Sequence, residues 1–240
     1  MPQAEQVQSM FDRIAGRYDL LNRIMTMGID KRWRKIAVRE CRVGPGVDTL
    51  DVCCGTGDLS FLLAEAGARR VVGLDFSANM LEQARIRGGK TSGPGSRVEF
   101  IQGDAMDLPF ADNSFDVVTV GFGVRNVEDL DQSLREFARV LRPGGRLGCL
   151  EITRPESRPA AAFHTVWFHK VVPVVGGVVS GDKDAYSYLP ESTLTFPQPR
   201  DLADRFEAAG FDRPHWQTFG GGIVALHVAE VADRAQEDQA

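Results

Sequence analysis

Residues 50–58 read LDVCCGTGD, and this stretch decides the fold. A short apolar run, VDTLDVCC, ends in a glycine turn, and a helical pattern follows with Leu59, Leu62, Leu63 and Ala66 on one face. That is a buried strand, a tight turn and a helix. Downstream the same unit recurs. RVVGLD is a second buried-strand run, and SANMLEQARIR a second helix with Ser77 as its N-cap. GGKTSGPGS is a loop by composition. RVEFIQGD and FDVVTVGF read as two more strands. Helix Glu128–Arg142 carries Leu130, Leu134, Phe137 and Leu141 on one face, RPGG stops it, and GRLGCLEIT is the fifth strand. Alternation of this kind predicts an α/β fold, with a parallel sheet covered by helices on both faces. Right-handed crossovers make it doubly wound.

Upstream, residues 1–42 read as an N-terminal helical cap. Val7, Met10, Phe11 and Ile14 form one stripe, and Leu20, Leu21, Ile24 and Met25 repeat it. Asp30–Arg42 holds six basic residues, with Trp33 and Ile36 between them. Residues 43–153 form the ligand-binding core, and the rhythm breaks after Thr153. Residues 154–199 are apolar but irregular, with repeated prolines, and are expected to be a helical cover over the sheet's carboxyl edge. Residues 200–231 supply a last helix, Arg200–Ala209, and two runs, HWQTFG and GGIVALHVAEV, close enough to pair antiparallel. That makes a mostly parallel, seven-stranded sheet in a single domain. Residues 232–240 are a tail.

Composition bounds the rest. A chain of 240 residues buries roughly 70–75% of its unfolded surface and needs no staple to hold a core. Apolar residues at 43% and charged residues at 25% exclude a disordered or fibrous chain. With 28 Lys/Arg against 33 Asp/Glu, the net charge of −5 gives no overall basic field for nucleic acid. Cys41, Cys53, Cys54 and Cys149 lack zinc-knuckle spacing, so no metal site or disulfide framework is expected, which suits a reducing compartment. The N-terminus does not read as a secretory signal. Val171–Val179 is too short to span a bilayer. The expected location is cytoplasmic, with peripheral attachment at the inner face of the membrane left open.

In an open parallel sheet, ligands bind at the carboxyl ends of the strands near the switch point. Gly55 and Gly57 remove side chains where a ligand approaches the backbone. A nicotinamide dinucleotide fingerprint needs a third glycine where Ser60 stands, so that match fails. Asp51 precedes the loop. Asp75 ends the second strand, placed for both hydroxyls of a ribose. Asp104 and Ala105 follow the third strand and face an adenine edge. Carboxylates at three strand ends suit a cationic, phosphate-free nucleoside better than a pyrophosphate, which prefers helix N-termini. Charged residues here also have plainer readings. Asp75 caps a helix, Asp104 forms a turn, and Arg125 pairs with Glu128 or Asp129.

On these motifs the chain resembles class I S-adenosylmethionine-dependent methyltransferases, which have a Rossmann-like sheet. The segments MFDRIAGRYDLLNRIMTMGIDKRWR, LDVCCGTGDLS, GLDFSANML, GDAMDLPFADNSFD, GFGVRNVEDLDQSLREFARVLRPGGRLGCLE, GDKDAYSYLPES and GGIVALH narrow the resemblance to the ubiquinone/menaquinone biosynthesis methyltransferase (UbiE/MenG) family. They run from about Phe11 to His227. The resemblance implies S-adenosylmethionine as cofactor. It places Thr56 beside the methionine part, Asp75 on the ribose with Phe76 next to it, and Asp104 and Ala105 on the adenine. Asp51, Gly55 and Gly57 shape the loop. Two positions depart from the family pattern. Cys53 stands where the general pattern has its first glycine. Gly121 stands where some members offer a serine hydroxyl.

The reaction the resemblance implies is methylation of a ring carbon on a prenylated quinol, here demethylmenaquinol giving menaquinol. The acceptor carbon is a weak nucleophile until an adjacent ring hydroxyl loses its proton, so a base or a phenolate-stabilising cation is needed. Arg125 and Asn126 in GVRNV are the candidates, followed by Tyr18 and Asp19. His164 and His169 titrate in the useful range but are not singled out by the resemblance. Alternatives are another prenylated quinol (a ubiquinone precursor or a phytyl naphthoquinol), a different small acceptor, a nicotinamide reductase, or a non-catalytic cofactor-binding subunit. Lys31–Arg42 reads either as a solvated helix face or as a membrane-docking segment with Trp33 at the interface. A homodimer is the assembly expected, though no motif specifies it.

Overall fold

The computed structural model describes residue 23, residue 26 and residues 28–90, 93–155 and 192–232. The described elements run α1 (Asp30–Glu40), β1 (Asp48–Val52), α2 (Asp58–Glu65), β2 (Arg70–Asp75), α3 (Ala78–Gly89), β3 (Glu99–Gln102), β4 (Phe115–Gly121), α4 (Leu130–Val140), β5 (Leu141–Ile152), α5 (Pro199–Ala208), β6 (Phe211–Phe219) and β7 (Val224–Val231). Short 3₁₀ turns occupy Pro94–Arg97 and Val124–Asn126.

Seven strands form one sheet in the order β3-β2-β1-β4-β5-β7-β6. β1 through β5 pair parallel, and β7 joins β5 and β6 antiparallel. The β6–β7 hairpin and the doubly wound parallel sheet match the expectation from sequence. Strand order reverses between β1 and β4, which places the crevice for a ligand at their carboxyl ends.

Periodicity explains the layers. All five residues of β1 are buried, as a central strand covered on both faces requires. On one face Leu50, Val52, Val72, Leu74, Val118 and Val120 meet Leu134 and Phe137 of α4 and Phe206 of α5. Each large side chain buried there contributes roughly 1.5–3 kcal/mol. On the other face α1 and α2 cover the sheet. Val38 packs with Leu59 and Leu63, and Ala37 with Leu150, Val224, Leu226 and Val228. Ser77 caps α3 as expected, accepting from the Met80 amide at 3.1 Å.

Several boundaries differ from the sequence reading, among them β6, which begins at Phe211 and not at His215. α1 ends at Glu40 and α4 at Val140, each two residues short. RPGG does not separate α4 from β5. It lies within β5, at a register shift where Phe115 faces Leu141 and Val117 faces Arg146. Proline and glycine are tolerated there because the ladder is already interrupted. Gly88 and Gly89, read as loop, are the last residues of α3.

Candidate active site

A cleft opens at the carboxyl ends of β1 to β4. It is lined by Cys53 and Gly55 after β1, Asp75, Phe76 and Met80 after β2, and Gly103 to Met106 after β3. Gly121, Phe122, Gly123, Asn126, Val127 and Glu128 close it after β4. It is an open cleft, its envelope of about 800 Å³ continuous with solvent. Three carboxylates line it, and no Lys, Arg or His does among the described residues. Such a lining favours a cationic ligand.

The glycine loop is built from its own backbone bonds. The Cys54 amide donates to the Leu74 carbonyl at 3.0 Å and the Gly57 amide to the Cys54 carbonyl at 2.9 Å. Asp75 Oδ2 accepts from the Gly55 amide at 2.7 Å, and its Oδ1 from the Ser77 amide at 2.9 Å. These two bonds fix the carboxylate's orientation at the cleft. Gly57 has φ +89°, and a Cβ there would meet Phe61 and Phe100 at 3.0 Å. Both facts demand glycine.

Cys53 carries the loop's other oddity. Its φ of 53° is left-handed, which costs a non-glycine residue roughly 1–2 kcal/mol. Gly123, across the cleft wall, makes room for it: a Cβ at Gly123 would fall 2.3 Å from Cys53 Cβ. Burial and nearby carboxylates push the Cys53 and Cys54 thiols well up, so both remain protonated small hydrophobes.

Not every expected site residue reaches the cleft. Asp75, Phe76, Asp104, Ala105, Gly55, Gly121 and Asn126 line it together; Asp51, Thr56, Gly57 and Arg125 do not. Asp51 lies beneath the loop, 1% exposed, accepting from Ser60 Oγ at 2.5 Å and Thr119 Oγ1 at 3.0 Å. Burial pushes its pKa up to about 6, against those two bonds. Thr56 is also buried. Its Oγ1 and carbonyl both accept from Arg87 Nη1 at 2.8 Å, while Arg87 Nη2 reaches Asp58 at 2.5 Å. α3 thereby braces the loop from behind. Asp104 makes the turn bond expected of the plainer reading, accepting from the Met106 amide at 2.9 Å, yet still lines the cleft.

Arg125 requires a correction. Its partner is neither Glu128 nor Asp129 but Glu151 at the end of β5, at 2.7 Å, with side chains 6% and 1% exposed. Arg125 Nη1 also donates to the Phe122 carbonyl at 2.5 Å, and Glu151 Oε1 accepts from the Ile152 amide at 2.8 Å. The pair fastens the turn after β4 to β5. Sequence reading missed Glu151; the one signal was a carboxylate ending an apolar strand, in LGCLE. Beside it Asn126 lines the cleft with a buried Oδ1 that has no hydrogen-bond partner. An unsatisfied buried acceptor is rare and calls for an explanation.

Of the remaining candidates, Tyr18, Asp19, His164 and His169 lie outside the described residues, as does Val171–Val179. His227 is 1% exposed, bonded to the Pro199 carbonyl at 2.8 Å, with its pKa pushed down to about 4 by burial. It is a core residue of β7. His215 is exposed on β6. Trp33 stacks on Phe219 at 6.2 Å within the protein, while Lys31, Arg32, Lys35, Arg39 and Arg42 face solvent.

The sheet order is that of a Rossmann-like class of fold, and its acid-lined cleft suits a cationic ligand. Solved structures share the fold. The [4+2]-cyclase SpnF matches with TM-score 0.72 and 21% identity, covering 96% of this chain and 97% of that one. A Thermotoga maritima protein titled SAM-dependent methyltransferase, possible histamine N-methyltransferase, matches with TM-score 0.63 and 20% identity, covering 93% and 98%. At these identities the likeness concerns fold alone, and the cyclase shows that fold does not set the reaction. The chain belongs to the ubiE/COQ5 methyltransferase family, whose model matches residues 2–230. It is similar to the demethylmenaquinone methyltransferase of Desulfitobacterium hafniense (strain Y51), 42% identical over 93% of this chain and 88% of the relative. The protein of that name from Staphylococcus saprophyticus is 41% identical over 93% and 95%.

Proposed function

We propose that this chain methylates a ring carbon of demethylmenaquinol, giving menaquinol. The single observation that carries the reading furthest is the acid-lined cleft ending at Asn126, in a chain 42% identical to a demethylmenaquinone methyltransferase. S-adenosylmethionine, when bound, supplies a methyl group already activated on a sulfonium. The residues present fit it. Asp75 takes the ribose hydroxyls, with Phe76 alongside, and Asp104 and Ala105 face the adenine edge. Gly55 and Gly121 leave space for the chain between. Asp51, Thr56 and Gly57 hold the loop's shape from outside the cleft.

For the acceptor, Asn126 Oδ1 receives the ring hydroxyl next to the reacting carbon and orients the ring. Arg125, neutralised by Glu151, is a positioning residue that fixes the backbone on which Asn126 stands. Alignment of two bound reactants is where most of the acceleration arises, so the geometry of this turn matters more than any single charge. Tyr18, His164 and His169 stay candidates for the proton acceptor. The polyprenyl tail keeps the substrate in a bilayer. No described helix is long and apolar enough to cross one. Peripheral contact with that bilayer through the exposed basic residues of α1 is part of the reading, and a homodimer is the assembly to test by sedimentation.

The experiment uses purified protein, S-adenosylmethionine and a short-chain demethylmenaquinone, oxidised or kept reduced, with mass spectrometry of the product. One methyl added on carbon, in the reduced sample only, is the expected result. Equal methylation of the oxidised quinone, or none of either despite cofactor binding, overturns the reading. Offering ubiquinone-precursor and phytyl quinols in competition ranks the alternative acceptors.

A further inference from the structure

Arg34 is an unusual side chain for a helix of exposed cations. It is 6% exposed, on the face of α1 turned to the sheet. Its Nε is buried with no hydrogen-bond partner. Among the described residues its one ion-pair partner is Asp30, 3.6 Å away and too far for a hydrogen bond. The Asp51 and Asp58 carboxylates also feel its charge, but none of the three acids hydrogen-bonds its Nε, and a buried donor left without an acceptor is costly.

Its position says what that is. The guanidinium lies over the Phe122 ring, 5.0 Å from the centroid. Its Nη1 is 2.9 Å from where a Cβ at Gly121 would stand. Gly121 and Phe122 form the β4 end of the cleft, and Arg34 stands directly behind them. Adenine and ribose, on the proposed reading, occupy the β3 and β2 ends, at Asp104 and Asp75. In the order β3-β2-β1-β4, the same ligand running past Gly55 brings its amino-acid end to β4. That end carries a carboxylate. The guanidinium does not itself line the cleft, but at Gly121 no side chain stands beside it.

We propose that Arg34 binds the α-carboxylate of the cofactor's amino-acid end, with Gly121 as the gap through which it does so. The inference rests on the cofactor placement above. It gives α1 a share in the site, and it explains why a position open to a serine hydroxyl holds glycine: a Cβ there crowds the guanidinium. Arginine suits the task because its planar fork matches a carboxylate's two oxygens.

The test compares two ligands by calorimetry. S-adenosylhomocysteine carries the amino-acid end; 5′-methylthioadenosine shares adenine, ribose and thioether but lacks it. In Arg34→Gln the Kd for S-adenosylhomocysteine should rise about 10–100-fold, as expected for loss of a charge-assisted contact. The Kd for 5′-methylthioadenosine should stay within about 2-fold, which also reports an intact fold. Arg34→Lys keeps the charge but not the fork, and should fall between. Unchanged S-adenosylhomocysteine binding overturns the proposal. So does an equal loss for both ligands, since that marks a structural role. If Arg34→Gln does not fold, the ratio of the two affinities in Arg34→Lys decides, and an unchanged ratio overturns the proposal. Wild-type protein that binds neither ligand refutes the cofactor placement instead.

Discussion

Replacing Gly123 by alanine tests how the two walls of the cleft are fitted together. Gly123 has φ −117° and ψ −34°, a conformation open to any residue, so backbone strain plays no part. The obstacle is Cys53. The new Cβ would lie 2.3 Å from Cys53 Cβ and 3.2 Å from its sulfur. Ordinary carbon contact begins about 1 Å farther out, and both residues sit on backbone tied by hydrogen bonds, so one wall must move. Overpacking of this kind costs typically 1–3 kcal/mol of stability. A shift of about 1 Å in a ligand-positioning wall lowers turnover by about 100-fold. Cys53→Gly removes the obstructing atoms and releases roughly 1–2 kcal/mol of left-handed strain, at the expense of a small cavity. The double variant should therefore recover most of the stability and affinity lost by Gly123→Ala. Urea midpoints and S-adenosylhomocysteine Kd values for the four proteins form a double-mutant cycle, with an expected coupling of about 1–3 kcal/mol. Additive effects, or a Gly123→Ala protein indistinguishable from wild type, would refute the reasoning.

Three further outcomes are expected. Asp51 has its pKa raised to about 6 from an ordinary 3.8, so the folded state holds a proton the unfolded chain has lost between those values. Its contribution to stability therefore grows as pH falls from 7 toward 4, and the wild type should gain on Asp51→Asn over that range in urea titrations. Arg125→Ala strands the 1%-exposed Glu151 carboxylate, costing about 3–5 kcal/mol, and a second change to Glu151→Gln should restore much of it. Turnover should stay low in both, because the turn carrying Asn126 is unfastened; recovery of turnover with the double change would place Arg125 outside the positioning role. On the proposed placement Asp75→Ala removes the ribose acceptor together with the Gly55 amide's acceptor, so S-adenosylhomocysteine affinity should fall at least about 100-fold by calorimetry. Normal binding would discard the ribose assignment.

The strand–helix alternation was legible because the central strands are continuous apolar runs and the helices carry clear stripes. RPGG misled for a physical reason: proline and glycine interrupt a helix and a bulged strand alike. Asp75, Asp104 and Gly55 were legible because local position at a strand end determines what they face. Glu151 was not, because its pairing with Arg125 closes across the β4–β5 register, 26 positions away. The nearer acids Glu128 and Asp129 were the only partners local reasoning offered. Arg34 was hidden differently. In the sequence it is one of six cations on a basic helix, and only the packing of α1 against β5 and α2 turns it inward. Asp51 precedes the glycine loop as expected, but a strand's alternation sends its side chain under the loop, toward Ser60 and Thr119.

The bonding of the glycine loop bears on how this scaffold can change its ligand. Phosphate-binding loops work by leaving successive amides free to point at an anion. Here the amides of Cys54, Gly55 and Gly57 are already engaged, by Leu74, Asp75 and Cys54 in turn. The loop contributes empty space and no donors from those three groups. Installing the missing third glycine at Ser60 would not convert it to a dinucleotide binder. It would delete the hydroxyl that satisfies Asp51 and leave those amides turned away from any pyrophosphate. Two Rossmann-like sites that differ in sequence by a single glycine are thus separated by the direction of a whole turn, and no single substitution crosses between them.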